Sequence, residues 1–145
     1  MALRPRPDVD ITASCACGAV TMSVKGTILS MIMCACEDCQ RATGTGHSTI
    51  AIVNRADLSI TGDVKSFATI ADSGATLTRH FCPVCGTPLY GVSSRREDRI
   101  NLPVGFFRGQ NEWFQPNQVI FDRSSRSWDL FPEHLPRHAT YRSPA

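Results

Sequence analysis

The residues best suited to chemistry are seven cysteines, set in three tight groups: Cys15-Ala16-Cys17, Cys34-Ala35-Cys36-Glu37-Asp38-Cys39 and Cys82-Pro83-Val84-Cys85. Close-set thiols in a chain without secretory features point to metal ahead of disulfides, and an odd number fits poorly with a closed disulfide framework. Zinc in structural sites takes four tetrahedral ligands, so seven thiols make one complete site and leave three over. Spacing alone permits two divisions. Cys36 and Cys39 with Cys82 and Cys85 would form a ribbon-like site, leaving Cys15, Cys17 and Cys34 as a scattered remainder. Cys15 and Cys17 with Cys82 and Cys85 would instead leave Cys34, Cys36 and Cys39 as a compact trio.

The second division is physically better. Both outer pairs are followed directly by glycine (Gly18 and Gly86), as backbone wrapping around a metal often needs. The trio falls within one strand-to-helix turn, so a single element can present all three sulfurs. Its consequence is that the four-thiol site is closed and structural, and metal binding contributes folding free energy. Three thiolates on zinc leave a fourth position for water or substrate, the arrangement of catalytic zinc. All-thiolate ligation weakens zinc as an activator of water but suits it to an incoming soft thiolate. The competing reading completes the tetrahedron with a histidine, His47 first and His80 second, and makes this site structural too.

These groups need rigid elements around them. Alternation predicts strands over 9–13 and 20–24, the latter ended by Gly26, and an apolar run at 28–34 reads as a strand covered on both faces. Residues 37–43 read as a short helical turn closed by Gly44. Further strands are expected at 47–53, 58–61, 64–70, 75–81, 87–92, 100–104 and 118–121. Gly62-Asp63 reads as a hairpin-like turn, and Pro103 argues for an edge strand. On 75–81, Leu77, Arg79 and Phe81 share one face. Trp128, Leu130, Phe131 and Leu135 are expected to pack on the core from an irregular segment, and Trp113 and Phe114 read as core anchors. The fold class is mainly β, with many short antiparallel strands and one helical turn. Domain organisation follows: a flexible arm over 1–8, one zinc-binding domain over 9–137 and a frayed tail over 138–145, with His134 and His138 facing solvent.

At 145 residues the chain suits one domain with one modest core. Its 15 basic and 13 acidic residues give a net charge of +2, with the arginines scattered along the sequence. That balance gives no electrostatic case for nucleic acid or an anionic membrane. No stretch approaches the ~20 apolar residues of a membrane helix, and no signal-peptide core is present. A cytoplasmic location, where thiols stay reduced, is expected.

Three ordered motifs then carry a resemblance: Cys15-Ala16-Cys17-Gly18-Ala19-Val20, Cys34 through Gly44, and Phe81-Cys82-Pro83-Val84-Cys85-Gly86-Thr87-Pro88-Leu89-Tyr90. With the closing Trp128-Asp129-Leu130 and Leu135-Pro136-Arg137, they resemble the glutathione-dependent formaldehyde-activating enzyme family, which includes the centromere protein V group. The resemblance implies a zinc-stabilised β-tent (Mss-four-like) fold and two zinc ions. One would be structural at Cys15, Cys17, Cys82 and Cys85; the second would sit at Cys34, Cys36 and Cys39 with an exchangeable fourth ligand. It also implies a carbon–sulfur lyase that adds glutathione or a similar thiol to formaldehyde or another small aldehyde, or runs the reverse. Ala35 stands where the family commonly has histidine, and Gln40 where a basic residue often follows. Arg41 is the candidate for a substrate carboxylate and His47 for a proton shuttle, against plain readings of a solvated charge and a strand polar residue or fourth ligand. Two readings of other classes stand beside the enzyme: a non-catalytic zinc-stabilised binding module, and a thiol switch that releases its metal on oxidation.

Overall fold

A computed structural model describes residues 4–142, so the first and last three residues of the expected arm and tail lie outside the described residues. Strands β1 (Asp8–Ser14), β2 (Thr21–Thr27) and β5 (Leu58–Thr61) form a three-stranded sheet, with Asp8 opposite Thr27 and Met22 opposite Ile60. The remaining strands are β3 (Ser30–Cys34), β4 (Ser48–Asn54), β6 (Lys65–Ile70), β7 (Thr76–Phe81), β8 (Pro88–Ser93), β9 (Arg99–Pro103) and β10 (Val119–Ile120). They make a seven-stranded sheet in the order β10-β3-β4-β9-β8-β7-β6. The single α-helix among the described residues, α1 (Glu37–Thr43), joins β3 to β4 and is capped by Gly44 in the left-handed conformation.

The period-two pattern explains how the sheets meet. Val20, Met22 and Val24 of the small sheet and Met31, Ala51, Val53, Ile100 and Leu102 of the large one are buried in a shared core, with Phe107 from a short 3₁₀ turn among them. Burying each large apolar side chain there contributes about 1.5–3 kcal/mol. The alternate residues of the large sheet, Ile32, Ile52, Gly91, Asn101 and Arg79, face the other way and line an open cleft. One face of this sheet is structural, and the other is free to do chemistry.

Several expectations need correction. β2 runs through Gly26 to Thr27, and β3 starts only at Ser30, with its Ile32 on the cleft instead of under a second cover. Gly62-Asp63 is no hairpin turn, because β5 and β6 belong to different sheets and the turn carries the chain between them. β9 lies inside the large sheet despite Pro103. Its register with β8 is confined to Gly91 opposite Asn101, so the missing N–H at the strand's end interrupts no ladder there. β10 runs parallel to β3, an exception to the antiparallel pattern. Trp128 and Leu130 do not pack on the core; they are 63% and 86% exposed, whereas Leu135 is buried. His134 is exposed and His138 half-buried. The His138 amide donates to Val119 O at 2.9 Å and the Phe121 amide to Thr140 O at 3.0 Å, so residues 138–140 run alongside β10.

Candidate functional site

The outer cysteine pairs sit at the tips of two hairpins from different sheets. Cys15 and Cys17 lie in the β1–β2 connection and Cys82 and Cys85 in the β7–β8 connection. Each tip is folded by the same short-range bonds: Gly18 N–H donates to Cys15 O at 3.0 Å, and Gly86 N–H to Cys82 O at 2.9 Å. Both glycines have φ near +75° to +80°, which disfavours any residue with a Cβ. The four sulfurs lie within 4.8 Å of one another, with Cys15 and Cys82 buried and Cys17 and Cys85 at the surface. Val20 N–H donates to Cys15 Sγ at 3.3 Å, and Thr87 Oγ1 lies 3.1 Å from Cys85 Sγ, its hydroxyl lowering that thiol to about 5. Such a donor set suits thiolates and therefore a soft cation, and the group could hold a metal ion. Clipped there, the small sheet would be tied to the large one.

The trio is built by the β3–α1 junction. Cys34 ends β3, Cys36 is the N-cap of α1, accepting from Cys39 N–H at 3.3 Å, and Cys39 sits in the first turn. Their sulfurs also lie within 4.8 Å of one another, and among the described residues no histidine or carboxylate joins them. Cys39 Sγ accepts from Ser48 Oγ at 3.1 Å and lies 3.9 Å from Arg79 Nη2. The Cys34 and Cys36 thiols, with Ser48 and the Arg79 charge, bring Cys39 down to about 3 against the opposing effect of burial. The same thiol contacts, then burial, push Cys34 far up. Three close-set thiols, two of them buried, that favour a single charge would accept a cation in place of their protons. This group too could hold a metal ion.

All three sulfurs open on the cleft of about 1280 Å³ over the free sheet face. Ala35 and Gln40 do not line it. Ala35 is fully buried with its amide on Ile120 O, and the Gln40 side chain donates to Ala35 O and Ser124 O, both at 3.0 Å. These two positions therefore brace the loop that carries the sulfurs. Phe121, buried beside Cys34 and Cys39, holds a left-handed φ of 57° that is uncommon for a side chain of its size.

Arg41 is mostly exposed and paired with Asp38 on its own helix, a solvated charge at the cleft rim. His47 also lines the cleft but turns Nδ1 to Asp129 Oδ2 at 2.6 Å and packs on Phe131. His80 stacks on Tyr90 with ring centroids 4.1 Å apart, and burial lowers its pKa. Neither histidine joins the trio.

Two site residues escaped the sequence reading. Arg79 is one; its signal was a cation standing between Leu77 and Phe81 on an apolar face. It sits across from Gly91, which leaves room over the sheet for the guanidinium to reach Cys39. Asp129 is the other, 82 residues from its partner His47. A Cβ at Gly46 would collide with Asp129 Oδ2, so glycine is what admits that carboxylate. The arginines are also not scattered in space: Arg41, Arg79, Arg95, Arg96 and Arg123 all line the cleft, against Glu37, Asp38 and Asp72.

A Cβ on Gly91 would make only ordinary contacts at 3.7 Å and beyond, and no positive φ holds the position. Gly91→Leu should therefore melt within a few degrees of the parent while filling the cleft floor.

Comparison with known proteins gives a consistent answer. The family described as "Glutathione-dependent formaldehyde-activating enzyme" matches residues 10–124. A protein of Emericella nidulans is 29% identical over 135 residues, covering 90% of this chain and 68% of its own length. One from Fusarium vanettenii is 27% identical, covering 77% and 60%. One from Aspergillus flavus is 28% identical over 85 residues, covering 59% and 44%, so the chain spans less than half of that relative. All three carry the name "Putative glutathione-dependent formaldehyde-activating enzyme". A crystal structure of a Rhodobacter sphaeroides protein is similar in fold, with a TM-score of 0.56 at 20% identity over 70% of this chain and 92% of that one. With the cysteine motifs inside the matched stretch, this chain belongs to the glutathione-dependent formaldehyde-activating enzyme family.

Proposed function

We propose that the chain is a zinc-dependent carbon–sulfur lyase, joining a small thiol such as glutathione to a small aldehyde such as formaldehyde, or releasing the pair from their adduct. The observation that carries this reading is the trio of Cys34, Cys36 and Cys39, which converges without a fourth protein ligand among the described residues and opens on a cleft. Cys15, Cys17, Cys82 and Cys85 would hold the structural zinc, and the trio the second one. Zinc at three thiolates supplies a Lewis acid that favours an incoming thiolate over water. Residues 9–137 would form the working unit, and reduced thiols at both sites suit a cytoplasmic setting.

The chain's own residues have separable tasks. In the forward direction sulfur attacks the carbonyl carbon, the carbonyl π pair moves to oxygen, and the proton lost by the thiol is returned to that oxygen. No other reactant is needed. Arg79 places a fixed positive charge beside Cys39 and can orient an anionic substrate group. His47, with Nδ1 held by Asp129, keeps Nε2 as the ring position able to carry the proton. Arg41, tied to Asp38 at the rim, would guide an anionic thiol without fixing it.

The test is exchange spectroscopy on glutathione with formaldehyde, where the chain should broaden the adduct resonances at substoichiometric amounts. Arg79→Gln should keep its metal content and lower the exchange rate about tenfold, ~1.4 kcal/mol of barrier. Unchanged exchange in the presence of the zinc-loaded chain would refute the reading.

A further inference from the structure

The floor of the cleft does not stop at the trio's end of the sheet. Ile32, Ile52 and Ile120, with Arg96, are shared with a second recess of about 520 Å³. The recess is lined by Arg4, Arg6, Arg96, Arg99 and Arg142, and among the described residues no carboxylate lines it. They come from the N-terminal segment, the β8–β9 connection with the start of β9, and the C-terminal segment, so the fold itself gathers them. Arg99 meets Asn54 Oδ1 and lies 3.6 Å from the carboxylate of Asp98. The other four have no carboxylate partner among the described residues. Like charges brought together repel, and a chain of net charge +2 has no general excess that would force them into one place.

Guanidinium forks without partners match phosphate oxygens, which take several donors at once. Between recess and trio lie Ile32, Ile52 and Ile120, so a linker that crosses them is best uncharged along that stretch. Along β3 the two ends, Ser30 and Cys34, are about 13 Å apart at ~3.3 Å per residue.

We infer that the basic recess holds the phosphate end of a thiol substrate whose uncharged linker crosses Ile32, Ile52 and Ile120 to bring sulfur to the trio. This rests on the thiol-binding reading of Cys34, Cys36 and Cys39 and specifies the substrate class: a thiol carrying a distant phosphoryl group.

The experiment compares 4′-phosphopantetheine with pantetheine, two thiols that differ only in the phosphate, by calorimetry on the zinc-loaded full chain. The phosphorylated thiol should bind at least tenfold tighter at low salt, with the advantage shrinking as ionic strength rises. Pyrophosphate should compete with it. Arg6→Ala with Arg142→Ala, both exposed positions, should remove the advantage and leave pantetheine binding unchanged, whereas Arg126→Ala, outside the recess, should leave the advantage intact. Equal affinities, or an advantage that survives the double substitution, overturns the recess assignment. Phosphopantetheine binding no tighter than pyrophosphate overturns the claim that one molecule spans both ends. Pantetheine binding unaffected by Cys36→Ser tells separately against the trio as the thiol site.

Discussion

Cys82→Ser is expected to leave the chain largely unfolded at room temperature and to abolish binding at the four-thiol site. Cys82 is 1% exposed at a hairpin tip of the large sheet, and its sulfur lies 3.7 Å from Cys17 Sγ on the small-sheet hairpin. Zinc at structural thiolate sites contributes about 10–16 kcal/mol in apparent terms, against a typical domain stability of about 5–15 kcal/mol. Removing one of four ligands and leaving a hydroxyl among thiolates should therefore cost several kcal/mol, enough to exhaust a modest core. Circular dichroism and metal analysis on the purified variant would check this. A Cys82→Ser protein that keeps its zinc and melts within a few degrees of the parent would show that the sheets do not depend on this clip.

Cys39→Ser should behave in the opposite way. Cys39 belongs to the small satellite cluster with Cys34 and Phe121, away from the main core. The variant should fold, melt close to the parent, and hold one zinc in place of two. Its thiol–aldehyde exchange should fall by about three orders of magnitude, ~4 kcal/mol of barrier. Serine keeps the bond to Ser48 available but is a poor ligand for a soft cation, so the loss is chemical more than structural. Exchange at the parent rate from a one-zinc Cys39→Ser protein would mean that the trio does not carry the reaction.

The contrast between these two substitutions follows from a division of the thiols that spacing left open between two groupings and that the knuckle glycines and the compactness of the trio favoured. Cys15-x-Cys17 and Cys82-x-x-Cys85 each read as a knuckle, and the strand alternation around Val20, Met22 and Val24 read as one buried face, because both signals are local. Non-local features were hidden. Pro103 looked like an edge residue because nothing in its neighbourhood announces which strands flank β9. Gly62-Asp63 looked like a hairpin because a turn's residues do not say whether the chain returns to the same sheet. The arginines looked dispersed because Arg6, Arg96 and Arg142 are brought to one recess only by the fold.

Site chemistry divided along the same line. The trio is contained in six residues and could be named from them. Arg79 acts on Cys39 from 40 residues away, and Asp129 orients His47 from 82. Neither pairing leaves a spacing to read. Ala35 and Gln40 mislead in the other direction, since both sit next to cysteines of the trio yet turn from the cleft and hold the loop to Ile120 and Ser124. Adjacency in sequence gave them more weight in substrate choice than their contacts support.

Zinc X-ray absorption on the zinc-loaded protein, before and after adding glutathione, is the most direct measurement of whether the trio is an open thiol-binding site. The resting spectrum should fit one zinc bound by four sulfurs and one bound by three sulfurs and a light atom, as the two groups of cysteines provide. Glutathione should exchange that light atom for sulfur at the second zinc and leave the first unchanged. A resting spectrum with four protein ligands at both ions, unaltered by thiol, would contradict the account.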